Sequence, residues 1–335
     1  MSDAGVTTEL QNGGASVASN GSSIADLSYR NYDGPLKARF LRWWVVAQSQ
    51  LKLTWSRGWF YILAGLPLLR FLLSGFNMYL TSVFSARFGQ SSPNFLGEPE
   101  GQKYALQFWS VLCGDINSTM ALIITLVVGA GCIAADNRSN AMLVYFSKPI
   151  GKLDYLVGKW ASIFVTLFVI YLFPAALLYL FAVVSFRDEG FLTSEPWIGP
   201  RLLLSVFVGP LIHSSLIVGL SAWSKSPRIV GAIYASIYIL GGIVAGVIAG
   251  IIFKDNPEIK NLVQHCSLLG LINGITQNIM HVAVPSPLYF LRPFREPDVT
   301  EMPKLWPLLV IAGSLIVVGL TAAWVKIRAV EVVRG

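Results

Sequence analysis

The stretch GAGCIAADNRSNAMLVYFSKPIGKLDYLVGKW, residues 129–160, lies between two long apolar segments, yet its middle is polar, basic and broken by Pro149 and Gly151. The chain leaves the apolar segment near Ala135. Asp136-Asn137-Arg138-Ser139 then supplies a helix start, with polar side chains able to cap free N–H groups. Asn140 to Ser147 makes about two further turns and carries Met142, Leu143, Tyr145 and Phe146. Lys148-Pro149-Ile150-Gly151 stops the helix, and a basic turn from Lys152 to Lys159 leads back into apolar sequence. A short helix with charged and apolar residues at such an elbow is either a peg for a soluble partner's groove or a turn lying on a membrane surface.

The flanks favour a membrane. The chain has 335 residues, 54% hydrophobic and 13% charged, whereas soluble domains carry about 25% charge. Six segments are long enough to cross about 30 Å of hydrocarbon as helices: approximately 59–83, 105–134, 156–184, 201–224, 229–253 and 305–326. Pro67 and Arg70 interrupt the first and Asp115 the second, which neighbouring helices can accommodate. Together these make an all-α integral membrane protein.

Six crossings place both termini on one side. The pieces on that side hold 15 Lys and Arg against 9 on the other, with Arg70 inside a span completing the 25. The excess predicts that both termini are cytoplasmic, in a multi-pass plasma (inner) membrane protein. The net charge of +7 is therefore read through topology, not as a nucleic-acid footprint.

Residues 1–34 are rich in Ser, Gly, Asn, Thr and Ala and are expected to form a flexible cytoplasmic tail, with no signal sequence or lipid anchor. Pro35 to Arg57 reads as an interfacial helix. Leu36, Phe40, Trp43, Trp44, Ala47, Leu51 and Trp55 fall within about a third of the wheel, with Leu41, Val45 and Val46 off the stripe. The alternative is that this segment is the first turns of a long first span. The connection from Lys254 to Lys304 is expected to fold into short amphipathic or re-entrant helices, or into a small separate subdomain.

Few residues carry recognisable chemistry. There is no GxxxxGK[ST], HExxH or GxSxG pattern, and no CxxC metal site. Cys113 and Cys132 lie roughly 28 Å apart along a helix, so they do not pair. Of the three histidines only His213 lies in a span, where it reads as a hydrogen-bonded bundle residue. Arg70 and Asp115 are ionisable groups at membrane depth. They form an ion pair between helices, line a polar substrate path, or reach water by snorkelling. Gly242-x-x-x-Gly246-x-x-x-Gly250 permits close helix approach, within the chain or at a subunit interface.

The run Gly131-x-Ile133-Ala134-x-Asp136, Ala141-Met142, Phe146-Ser147-x-Pro149-Ile150-x-Lys152-x-Asp154-Tyr155-x-x-Gly158-Lys159 resembles the permease subunits of ABC transporters of the type-2 permease (ABC-2) family. Asp136 stands where a glutamate is common, and Lys148 separates Ser147 from Pro149. The resemblance implies a permease that pairs with a second copy or a homologue, in contact with membrane lipids. A separate ATPase subunit would carry ATP and Mg, and this chain would bind no cofactor and no metal. It further implies a coupling helix over about 138–147. Asp136 and Arg138 would orient its start, Tyr145 and Phe146 would seat it in the ATPase groove, and Lys148 would belong to the same set. Export follows from the family, and the shortage of charge in the bundle favours an amphipathic or lipid-like cargo. Two rivals remain: the membrane anchor of a redox complex, whose histidines would converge on haem, and a mechanical transmitter that moves an extracytoplasmic partner without cargo.

Overall fold

The computed structural model describes residues 41–88, 103–148, 150–187, 191–253, 255–282 and 302–329, without the side chains of 81, 82, 84–88, 103, 104, 115, 116 and 194. The expected tail over 1–34 lies outside the described residues. The fold is all-helical, with no strand among the described residues. In chain order the helices are α1 (Arg42–Trp55), α2 (Gly58–Phe88), α3 (Lys103–Cys113), α4 (Asp115–Gly129), α5 (Ala134–Ser139), α6 (Ala141–Phe146), α7 (Lys152–Ser185), α8 (Phe191–Ser194), α9 (Ile198–Ala222), α10 (Pro227–Ile251), α11 (Pro257–Gln264), α12 (Leu268–Met280) and α13 (Leu305–Arg328).

Six candidate membrane spans result: α2, the α3–α4 pair, α7, α9, α10 and α13. Pro67, Pro174 and Pro210 sit inside α2, α7 and α9 without ending them, since bundle neighbours can satisfy the freed backbone groups. α9 is the centre of the bundle. It touches α3, α4, α7, α10, α12 and α13, and its apolar window is 61% buried against 22% in α10 and in α13.

The second span breaks, but at Gly114, where ψ of 155° ends α3 one residue before Asp115 opens α4. The freed carbonyls are recovered locally. Ser118 Oγ donates to the Cys113 carbonyl at 3.0 Å, and Asn117 Nδ2 donates to that of Val111. From across the bundle, Tyr171 and Tyr238 donate their hydroxyls to the carbonyls of Asn117 and Ser118 at 2.8 and 3.0 Å. The N-terminal end of α3 is met by Glu195, whose buried carboxylate accepts the Ala105 N–H at 3.3 Å.

Helix α1 is separate from α2, the chain turning at Ser56 and Arg57. Its protein-facing side differs from the expected stripe. Val46, Ala47 and Thr54 are buried, while Trp44 and Trp55 are exposed; Leu36 and Phe40 lie outside the described residues. The cause is Gly158 on α7. A Cβ there would lie 2.6 Å from both the Trp43 carbonyl oxygen and Val46 Cβ. The missing side chain lets α1 settle on α7 through Val46 and Ala47, leaving Trp44 and Trp55 outside.

The tightest crossing joins α9 to α13. A Cβ on Gly219 would lie 2.6 Å from the Gly319 carbonyl oxygen, and one on Gly319 would lie 2.5 Å from that of Ser215. Ser215 and Gly219 thus form the small-xxx-small pair of the fold. Among the described residues Gly242, Gly246 and Gly250 do not serve close packing, because a Cβ on any of them meets nothing within 4 Å. α10 turns Val230, Tyr234, Tyr238, Ala245 and Ala249 inward instead.

The long connection contains α11 and α12. α12 packs on α3, α9, α10 and α13, so it is integrated into the bundle and is not a separate subdomain. Ser267 caps it by accepting the Gly270 N–H at 3.0 Å, and Asn278 Nδ2 donates to the Pro303 carbonyl at 2.8 Å. His265 is buried beside Gly274, with Nδ1 bonded to the Asn261 carbonyl at 2.8 Å. Burial lowers its pKa below the ordinary value.

Two outcomes follow. Gly319→Ala should destabilise the protein by about 1–3 kcal/mol through overpacking, although alanine favours helix. Gly246→Ala, with open space around it, should not; thermal unfolding in detergent compares them. The unfolded state protonates His265 more readily than the folded one, so stability should decline as pH falls through about 6.5. His265→Gln should flatten that part of the stability profile.

Candidate functional site

The elbow after the second span is fixed by the end of the fourth. α4 ends at Gly129 against the Ile217 side chain, to which a Cβ would come within 2.7 Å. The following turn leaves the N–H groups of Ile133 and Ala134 unpaired within their own helix. Ser221 Oγ accepts both, at 3.0 and 2.9 Å, and donates to the Ala130 carbonyl at 3.0 Å. Asn137 Nδ2 then bridges the carbonyls of Ala222 and Ser224 at 2.8 and 3.0 Å. Four groups at the elbow are thus tied to the last turn of α9.

Between α5 and α6 stands Asn140, in the left-handed region with φ 55°, a conformation asparagine tolerates better than most residues. The expected continuous helix over about 138–147 is therefore two short helices meeting at this joint. Asp136 lies in α5, before the joint, and makes no cap for α6. Its carboxylate is turned toward α7. Oδ2 accepts from Lys159 Nζ at 2.8 Å and from the Tyr155 hydroxyl at 2.6 Å. The Lys159 side chain is 3% exposed and that of Asp136 17%. Lys159 also donates to Gln50 Oε1 on α1 at 3.0 Å, and its ammonium lies 5.7 and 5.6 Å from the ring centres of Tyr145 and Tyr155.

Three expected coupling residues therefore converge here: Asp136, Tyr145 and Phe146. The two rings do not point outward, as a seat for a partner would require. Tyr145 and Phe146 pack on Tyr155, with centroids 5.2 and 5.7 Å apart, and Met142 is buried beneath α6. The outward face is made by Leu143 and Val144, 45% and 61% exposed. Arg138 and Lys148 stand exposed in the flanking segments. Sequence reading missed Lys159 and Tyr155, although both stand in the diagnostic run at i, i+4 spacing and so share one helix face. Nothing in the sequence marks Gln50.

The other intramembrane candidates divide. Arg70 Nη1 donates to Ser74 Oγ on its own helix. The side chain of Asp115, its expected partner, lies outside the described residues. His213 Nδ1 is bonded to the Tyr234 hydroxyl, and its ring stacks on Tyr238 at 5.9 Å, in agreement with a bundle residue satisfied from within. It borders a cavity of about 50 Å³ beside the Gly114 break, lined by Ser118, Tyr171, Ser205 and Thr276 among others. Ser205 Oγ is buried there without a hydrogen-bond partner among the described residues. The space admits water, at about 30 Å³ a molecule. Among the described residues no three His, Cys, Asp or Glu side chains group as metal ligands.

A family model for ABC-2 family transporter proteins matches residues 5–325, which takes in five of the six spans and most of α13. No curated protein matches the chain. With nearly the whole bundle and its elbow inside the matched region, the chain belongs to the ABC-2 family of transporter proteins and is a multi-pass permease component of an ATP-binding-cassette transport system.

Proposed function

We propose that the chain couples ATP hydrolysis by a separate ATPase subunit, which carries ATP and Mg, to export of an amphipathic or lipid-like substrate. It works in the plasma membrane with both termini cytoplasmic. The observation that carries this reading is the two-faced α6. Its outer side presents Leu143 and Val144, flanked by the cationic Arg138 and Lys148. Its inner side rests on Tyr155 of α7 through Tyr145 and Phe146. A partner's groove fits the outer side; a push on it is received by α7 and, through Asp136 and Lys159, by α1. The Asn137 bonds carry it to α9. The basic excess on this side of the bundle supports the orientation. An apolar groove of about 400 Å³ between α2 and α7, walled by Phe71, Gly75 and Leu178, supports an apolar cargo.

In this reading the second permease copy meets α10 on the face that carries Gly242, Gly246 and Gly250, which no described helix of the chain covers. The small cavity beside Gly114 also agrees with the alternative of a mechanical transmitter that passes no cargo. Reconstituted vesicles that hydrolyse ATP without moving any amphipathic probe would favour that alternative.

Leu143→Asp with Val144→Asp should abolish co-purification of the cognate ATPase while the permease stays in the membrane. Retained association would overturn the docking role of α6. Lys159→Met leaves Asp136 uncompensated and should cost about 3–5 kcal/mol, seen as a lowered melting temperature; any permease that folds should bind ATPase yet show ATP hydrolysis unlinked from transport. For the second copy, Gly246→Phe should reduce dimer recovery on cross-linking without lowering the stability of the single chain.

A further inference from the structure

A third pocket lies beside the ion pair, where α1 and the first two spans meet. It measures about 210 Å³ and is bounded by Gln50, Leu53, Thr54 and Arg57 of α1, Trp59 at the start of α2, Val127 near the end of α4, and Asp136 and Lys159 at its floor. Its depth is set by the spans. α2 begins at Gly58 and α4 ends at Gly129, so the pocket lies beside the ends of two candidate spans, where headgroups are expected.

Its chemistry is that of an anion site with an apolar lip. Arg57 and Lys159 contribute two positive charges and Asp136 one negative, leaving one positive charge. Arg57 is exposed, lies 6.0 Å from the Trp59 ring centre, and forms no ion pair with a carboxylate among the described residues. Lys159 gives two of its three donors to Asp136 and Gln50. Because Gln50 Oε1 accepts from that ammonium, its amide NH₂ is left to donate. Leu53, Trp59 and Val127 are exposed apolar residues at the mouth.

We propose that this pocket holds the headgroup of an anionic phospholipid. The phosphodiester is received by Arg57, with Gln50 and the remaining Lys159 donor beneath it. The acyl chains leave over Leu53, Trp59 and Val127. A single negative charge matches the single net positive charge, whereas a zwitterionic lipid brings its own cation and gains less. The apolar mouth distinguishes a lipid from a free phosphate ion, which would have no use for it. The bound lipid bridges α1 to the end of α4 and lies against the Asp136–Lys159 pair, so the composition of that leaflet bears on the joint beneath α6. None of this depends on the identity of the ATPase or the cargo.

Trp59 gives the test a reporter. The full-length protein in detergent micelles is titrated with brominated phosphatidylglycerol or brominated phosphatidylcholine, and tryptophan quenching is followed. Phosphatidylglycerol should quench more strongly at equal concentration. The excess should vanish in Trp59→Phe and weaken about fivefold in Arg57→Gln. It should persist in Lys52→Gln, which removes an exposed cation of α1 outside the pocket. Gel filtration of each variant confirms that it is folded. Equal quenching by the two lipids would overturn the proposal. So would an excess that survives Arg57→Gln, which would mean general surface attraction, or one abolished by millimolar inorganic phosphate, which would mean a free-anion site.

Discussion

The ion pair between Asp136 and Lys159 is the constraint around which the α1 end of the bundle is arranged. A lysine ammonium 3% exposed is tolerated only when its charge is matched. Asp136 supplies the charge, Gln50 a second acceptor, and the faces of Tyr145 and Tyr155 lie toward the cation. These partners come from four helices, α5, α1, α6 and α7. Such a pair contributes little net stability against an apolar substitute. Its consequence is geometric: none of the four helices moves relative to the others without exposing the charge or finding it another partner. That property suits a joint through which a push is passed.

The same logic, with backbone groups in place of charges, governs the broken second span. In hydrocarbon an unpaired carbonyl costs several kcal/mol, so a helix interruption must be repaired by its neighbours. At Gly114 the repair comes from Asn117 and Ser118, while Tyr171 and Tyr238 add second bonds to carbonyls in the first turn of α4. At the elbow it comes from Ser221 alone, which serves three backbone groups. Both sets of hydrogen bonds tie the second span to other helices. It is therefore linked to α7 and α10 at one break and to α9 at the other.

The spans were legible because length and apolarity are properties of contiguous sequence, and Gly58–Leu80 or Leu305–Arg328 can hardly be read otherwise. The elbow was legible as a stretch, since its polar residues interrupt lipid-soluble sequence. Which side chains face which way was not. Tyr145 and Phe146 look adhesive in isolation, but their direction is decided by Tyr155, one helix later. The stripe on α1, read for a membrane surface, did not mark the face that meets the protein. Tryptophans dominate any hydrophobic projection, yet the helix packs through Val46 and Ala47 because Gly158 removes the obstacle opposite Val46. The glycines of α10 were the more conspicuous series, and Gly219 and Gly319 the pair in contact, because close approach requires a small residue on both partners.

That requirement also explains how rigidity is distributed. α9 and α13 meet nearly backbone to backbone at Gly219 and Gly319, and Trp223 Nε1 donates to the Ala322 carbonyl at 2.9 Å. Lys152 Nζ reaches the Arg328 carbonyl at 2.7 Å, so α7 is tied to the end of the same pair; a cation there also favours the helix C-terminus. By contrast, α10 offers its neighbours only a narrow buried face, and its glycine-bearing side is covered by none of the described residues. The helices α7, α9 and α13 are thus bound to one another near the ion-paired joint, whereas α10 is held through its tyrosine face. If the joint is displaced as proposed, α7, α9 and α13 should move together, because each is held to the next by close backbone approach or by a hydrogen bond.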